Sequence, residues 1–288
     1  MCSLTLLIAV IGLSARCEAF SQRWTETFDA NDIFPCAHKS KILHEASNDG
    51  DLDWTYFTLS MSWPETFCLT QGSKQCEIPE DVSSWSIHGL WPSYDPGEGP
   101  ESCDKKAVFD SSKVALIADD LNKYWPNLLV KEPHFSFWCH EWCTHGTCAT
   151  NVSYTYNEYY YFRETIDLFK EYNPYSALSK YGITPSNTTY YTAENITIAI
   201  EKEFHVMPTL VCYHKQGDAS DQVYLHEIHM CLNKAMNTEN CSTEKLNASY
   251  SCDGKIIYPP ITRSDKKAGF QIHQFLTKST VCSNASIW

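Results

Sequence analysis

Three histidines and a glutamate stand inside two short segments punctuated by tryptophan and glycine. Residues 85–94 read Trp-Ser-Ile-His-Gly-Leu-Trp-Pro-Ser-Tyr, and residues 137–148 read Phe-Trp-Cys-His-Glu-Trp-Cys-Thr-His-Gly-Thr-Cys. Taken as a helix at about 100° per residue, the second segment projects His140, Thr144, Glu141 and His145 at roughly 0°, 40°, 100° and 140°, one continuous face. The i, i+4 pairs His140 with Thr144 and Glu141 with His145 are neighbours on it. His88 comes from elsewhere in the chain and has to meet that face in space. Two histidines with an ordinary pKa of about 6.5 can exchange protons with a hydroxyl and a leaving oxygen, while a third carries positive charge to a phosphate. That set suits attack by an RNA 2′-hydroxyl on its neighbouring phosphorus. One group takes the 2′ proton, another protonates the departing 5′ oxygen, and cationic donors offset charge on the pentacoordinate phosphorus.

Competing chemistries fit less well. A zinc protease helix needs histidines at i and i+4, but the residue four after His140 is Thr144, and His145 comes one position too late. No metal and no cofactor are therefore expected. Cys139, Cys143 and Cys148 suit disulfides better than structural zinc in an exported chain, and the same argument removes a cysteine nucleophile beside His140. There is no Gly-x-Ser-x-Gly elbow and no phosphate loop. Tyr159-Tyr160-Tyr161 reads as helix packing and surface. His226 and His229, three apart on a strand, face opposite sides and form no ligand pair.

These side chains need a scaffold. Residues 54–63 are rich in β-formers and alternate in part, predicting a strand that ends at Pro64; residues 85–91 predict a second, ending at Trp91-Pro92. Val114, Leu116, Ile117, Leu121 and Trp125 have helical spacing over 111–125, stopped by Pro126. Further helices are predicted over 136–145, 157–172 and 194–204, and strands over Thr209–Tyr213, Val223–Leu232 and Ile256–Tyr258. Helices clustered between strands indicate an α+β fold with a central, mostly antiparallel sheet and helices packed on it.

Composition places the chain in the secretory pathway. Residues 4–13 are apolar but too short to span a bilayer, and Cys17 and Ala19 stand at the −3 and −1 positions of a cleavage site. Residues 1–19 thus read as a signal peptide and 20–288 as a single domain. Of 14 cysteines, two fall in the signal, leaving an even 12. Six Asn-x-Ser/Thr sequons begin at Asn151, Asn187, Asn195, Asn240, Asn247 and Asn284, as in a glycosylated exported protein. The net charge of −13 argues against tight, extended nucleic-acid binding but permits brief contact at a cationic cleft. Protonation of all 11 histidines would bring the total near −2, which points to an acidic working pH.

Ile87-His88-Gly89-Leu90-Trp91-Pro92 and Phe137-Trp138-x-His140-Glu141-Trp142-x-x-His145-Gly146-Thr147-Cys148 resemble the two active-site segments of the ribonuclease T2 family of acid endoribonucleases. Ser62-Trp63-Pro64-Glu65-Thr66-x-Cys68, Tyr124-Trp125-Pro126 and Tyr258-Pro259-Pro260 are similar to animal members, so the likeness covers about residues 54–260. The resemblance implies an endoribonuclease that cleaves single-stranded RNA through a 2′,3′-cyclic phosphate without metal. It implies His145 as general base, His88 as general acid, His140 on the phosphate and Glu141 stabilising the transition state. Trp91 matches a position that stacks a base. Two positions depart from the family pattern: Thr144 stands where lysine is usual, and Ser93 where many members carry an aspartate linked to base contact.

The resemblance also implies the disulfides Cys68–Cys76, Cys103–Cys148, Cys212–Cys252 and Cys231–Cys241, leaving Cys36, Cys139, Cys143 and Cys282. On the wheel Cys139 and Cys143 lie opposite the catalytic face, and i, i+4 positions hold their Cβ atoms about 5–6 Å apart, too far for a mutual bond. One is expected to bond Cys36 and the other Cys282. The expected partners are RNA and N-linked glycans, with no DNA, no membrane anchor and a monomeric state, and the destination is extracellular or lysosomal. The rival reading is an immune-modulating or signalling glycoprotein on the same fold with dispensable ribonuclease activity, acting through a cell-surface receptor; four intact acid–base residues favour the enzyme.

Overall fold

Alternation along 56–62 produces the strand on which the sheet is organised. The computed structural model describes residues 33–35, 53–72, 75–94, 98–133, 135–215, 222–241 and 251–263. Strand β1 is Ile33–Pro35 and β2 is Tyr56–Ser62. Phe57, Leu59 and Met61 put one face of β2 into the apolar core, while Thr58, Ser60 and Ser62 are buried on the other, as the two-residue period of a strand requires. The pattern does not stop the chain at Pro64 but redirects it: Pro64 opens helix α1, Pro64–Gln71, where a missing N–H costs nothing.

Strand β3 (Ser86–Ser93) pairs antiparallel with β2 and carries a register shift. Ser60 faces Gly89 and Met61 faces Ile87, so His88 is the extra residue of a bulge. A bulge bends its strand and re-aims a side chain. Here Ile87 and Leu90 both reach the core although they are three residues apart. β3 continues through Pro92, because among the described residues it lies at the edge of the sheet and pairs only with β2, where proline is tolerated.

The short strand β4 (Val108–Asp110) pairs with β1. The helix expected over 111–125 is divided: Ser111–Ile117 is a 3-10 helix capped by Asp110, and α2 is Ala118–Tyr124. The tighter 3-10 winding buries Val114 and Ile117 but turns Leu116 outward, 85% exposed. Helix α3 (Ser136–Thr144) passes through His145 into a 3-10 turn, Gly146–Cys148. Helix α4 (Glu158–Glu171), capped by Asn157, packs on the sheet, where the Tyr161 hydroxyl donates to the Leu90 carbonyl at 3.0 Å. Then follow α5 (Pro174–Lys180), β5 (Ser186–Tyr191) and α6 (Ala193–Phe204), the last begun by a reciprocal capping box of Thr192 and Asn195.

Strands β6 (Thr209–Lys215), β7 (Gln222–Asn233), β8 (Thr238–Glu239) and β9 (Ile256–Tyr258) complete a seven-stranded sheet. Its order is β3-β2-β7-β9-β5, with β6 and β8 also paired to β7. Every pairing is antiparallel except β7 with β9, so the α+β expectation holds. The long β7 is the organiser. Beside β2 it sets Glu227 opposite Ser62 and His229 opposite Ser60.

Four disulfides pair Cys68 with Cys76, Cys103 with Cys148, Cys212 with Cys252 and Cys231 with Cys241, as the resemblance implied. Cys139 and Cys143 are also disulfide-bonded. Their sulfurs are 4.0 Å apart, so they are not bonded to each other. Cys36, Cys282 and the signal segment lie outside the described residues. Among the sequons, Asn151, Asn187, Asn195 and Asn240 are exposed; Asn247 and Asn284 lie outside the described residues. No helix among the described residues is long and apolar enough to cross a membrane.

Candidate active site

Three elements converge on one cleft. The bulged strand β3 brings His88, Gly89 and Trp91, helix α3 and its end bring His140, Glu141, Thr144 and His145, and β7 brings Glu227 and His229. Trp91 sits in the middle. Its ring centroid is 4.8 Å from His88, 5.4 Å from His145 and 5.7 Å from His229. The His140 and His145 rings are 6.2 Å apart.

Glu141 is 0% exposed. The Trp91 indole N–H donates to its Oε2 at 3.0 Å, and Oε1 has no hydrogen-bond partner, with His140 Nε2 3.9 Å away. Gly89 makes this bridge possible, because a Cβ there would collide with both Glu141 Oε2 and the Trp91 indole nitrogen. Burial pushes the Glu141 carboxyl up to about 7, against the opposing pull of His88 and the Trp91 bond. A carboxyl in that position holds its proton in acid and can donate it as a hydrogen bond. The ligand atoms of His140, Glu141 and His145 lie within 4.8 Å of one another, close enough to reach one cation. A protonated acid with one oxygen already committed to Trp91 is a poor ligand for it.

The two flanking histidines sit in opposite electrostatic settings. His145 is held well below the ordinary histidine value, first by burial and then by the neighbouring charges of His140 and His88. Burial acts the same way on His88, but the carboxylate of Glu227, 2.7 Å from its Nδ1, outweighs it and raises the value. The two histidines are thus pushed in opposite directions, the separation that proton-transfer pairs require.

Glu227 itself accepts four donors. His88 Nδ1 and the Ser62 hydroxyl reach Oε1 at 2.7 and 3.1 Å, while His229 Nε2 and the Ser60 hydroxyl reach Oε2 at 2.7 and 3.1 Å. Burial opposes its charge, but the charge of His88 and the hydrogen bonds from His229 and His88 hold it well below the usual carboxylate range. Sequence reasoning did not single out Glu227, and it weighed His229 only as a partner of His226. The available signal was their two-residue spacing, which puts both on the same face of a strand whose other residues are mostly apolar.

Thr144 is 6% exposed, with its hydroxyl 3.3 Å from His140 Nδ1. Ser93 is 4% exposed, and its hydroxyl lies 2.9 Å from the Thr58 hydroxyl and donates to the Trp91 carbonyl at 3.0 Å. The end of α3 is fixed by the Cys103–Cys148 bond and by the Ser102 amide donating to the Thr144 carbonyl at 2.7 Å.

The ribonuclease T2 family model matches residues 54–241, a span that contains every residue of this cleft. The chain belongs to the ribonuclease T2 family. It is 38% identical to "Ribonuclease Oy" of Magallana gigas over 212 residues, which is 73% of this chain and 98% of that protein. To "Ribonuclease T2" of Sus scrofa it is 34% identical over 210 residues, 72% of this chain and 98% of the other. The solved structure of RNase NT in complex with 5′-AMP superposes with a TM-score of 0.62 at 29% identity, covering 73% of this chain and all of that one. Human RNase T2 superposes with a TM-score of 0.58 at 29% identity, covering 72% and 99%.

Proposed function

We propose that this chain is an exported endoribonuclease that cleaves single-stranded RNA by transphosphorylation at acidic pH, without a metal. The observation that carries the proposal is the opposite setting of His88 and His145 on either side of Trp91. Neutral His145 takes the proton of a 2′-hydroxyl as the 2′ oxygen bonds to the adjacent phosphorus. The bond from phosphorus to the 5′ oxygen breaks, and His88 gives that oxygen its proton. The products are a 2′,3′-cyclic phosphate and a free 5′-hydroxyl. His140 and protonated Glu141 face the phosphoryl oxygens, where charge grows in the transition state and fixed donors act most strongly. Trp91 offers an aromatic surface to a base, an interaction that tolerates many sequences.

An acidic optimum follows from two protons. Above about pH 7 Glu141 becomes an anion facing phosphate, and His88 progressively loses the proton it must donate. At low pH His145 remains usable because its own value is depressed. Export and glycosylation are supported by the sequons on exposed asparagines and by the four disulfides. Two of those asparagines use their carbonyl oxygens inside the fold, Asn195 to the Thr192 amide and Asn240 to the Met207 amide, while an N-glycan attaches at the amide nitrogen.

The test is degradation of total RNA in EDTA across about pH 4–8, with His88→Phe and His145→Phe proteins as controls and end-group analysis of the products. Cyclic-phosphate ends and a maximum on the acid side are expected. Full activity at pH 8, or its abolition by EDTA, would sink this mechanism.

A further inference from the structure

We propose that Glu227 is a positioning residue for RNA cleavage: its carboxylate fixes the proton of His88 on Nδ1 and turns Nε2 toward the cleft. The inference rests on the reading of His88 as the proton donor. Ionised carboxylates only accept hydrogen bonds, so the 2.7 Å contact to His88 Nδ1 requires the proton to be on that nitrogen. Nε2 then remains as the nitrogen that serves a leaving oxygen.

The carboxylate is itself immobilised. Ser60, Ser62 and His229 occupy its other lone-pair directions at 2.7–3.1 Å, and Glu227 is 6% exposed. This arrangement costs the fold the desolvation of a charge, which packing alone would not ask for. The bulge at His88 is its counterpart, because it aims the ring of β3 across β2 at β7.

Other titratable groups lie near the same pair. On β7 these are His226 and His229, and on α3 they are His140, Glu141 and His145. Glu141 also favours charge on His88, but it is bonded to Trp91 and makes no hydrogen bond to His88. Glu227 is the acid in direct contact, and its removal should dominate the pH response.

The decisive protein is Glu227→Gln, which keeps shape and loses charge. Its kcat is expected to fall by about tenfold to a hundredfold with KM within about twofold. The high-pH limb of its kcat/KM profile should move down by about one pH unit while the low-pH limb, set by His145, stays in place. Glu227→Asp should restore most of the limb position but less of the turnover, because the charge returns one methylene further from the ring. A folded Glu227→Gln protein whose high-pH limb matches the parent's would overturn the proposal, since a role in folding alone leaves that limb unmoved. Should the variant not fold, the ring nitrogens of His88 in the parent protein, followed by 15N NMR, give the answer. A neutral ring protonated on Nδ1 is expected; a proton on Nε2 overturns the proposal. That measurement needs no activity, so loss of the general-acid reading, seen as an active His88→Phe protein, is distinguishable from loss of this one.

Discussion

One proton on Glu141 decides whether the cleft repels or receives a phosphate. Its unpartnered oxygen lies beside His140, and burial raises its carboxyl from 4.5 to about 7. Between those values the folded state keeps a proton that the unfolded chain releases, so stability falls as pH rises from about 4.5 to about 7 and then levels. Glu141→Gln should therefore melt like the parent near pH 4.5 and exceed it at about pH 8 by the order of 3 kcal/mol, readable in paired thermal melts. The amide also keeps a donor at the empty position, so activity of this variant should decline less steeply above neutrality. The neighbouring Thr144 gives a second prediction. A lysine there adds a full charge where a hydroxyl now makes one neutral bond to His140, a difference of about 1–3 kcal/mol in the transition state. Thr144→Lys is expected to raise kcat roughly 5- to 150-fold with a smaller change in KM, and to shift the optimum to lower pH by depressing His140. Equal or lower turnover of the folded variant would show that the site does without that charge.

Much of the arrangement of strands and helices is legible in the amino-acid sequence. Phe57, Leu59 and Met61 announce a strand by alternation, and the wheel over 137–148 places Glu141 and His145 on one face. What could not be read depends on pairing. The bulge at His88 exists only in the register of β3 against β2, and Glu227 joins the site only because β7 lies beside β2. Strand β5 has an almost wholly exposed pattern and offers no alternation to detect. Proline at 64 was ambiguous because strand ends and helix starts both accept it. Helix α3 also carries a prediction of its own. Cys139 and Cys143 are fully buried on its back and bonded elsewhere, and outside the segment expected to be a signal Cys36 and Cys282 are the cysteines left over. Non-reducing peptide mapping is expected to link one to each, clipping both ends of the chain behind the catalytic helix. Each closure contributes on the order of 2–4 kcal/mol. A Cys36–Cys282 peptide would refute the arrangement.

Across the whole molecule, charge and acidity are matched. At neutral pH the chain of net charge −13 repels its polyanionic substrate, so added salt should screen that repulsion and lower KM for RNA. Near pH 5, with His88 charged and Glu141 neutral, the attraction of the cleft dominates and the same salt should raise KM. A salt effect of one sign at both pH values would count against this account. The same acidity has a colloidal side. The sequence has a pI near 5.2, so in the range where the cleft is best poised the molecules have little net charge to hold them apart. Strand β3 is then exposed to risk, because among the described residues it is the edge of the sheet beyond β2, and edges recruit other chains. Pro92 has no N–H to offer a newcomer, and the segment at Gly99 lies so close to the Pro92 carbonyl that a Cβ there would collide with it. Shape rather than repulsion thus keeps the strand that carries His88 from becoming a seed for aggregation.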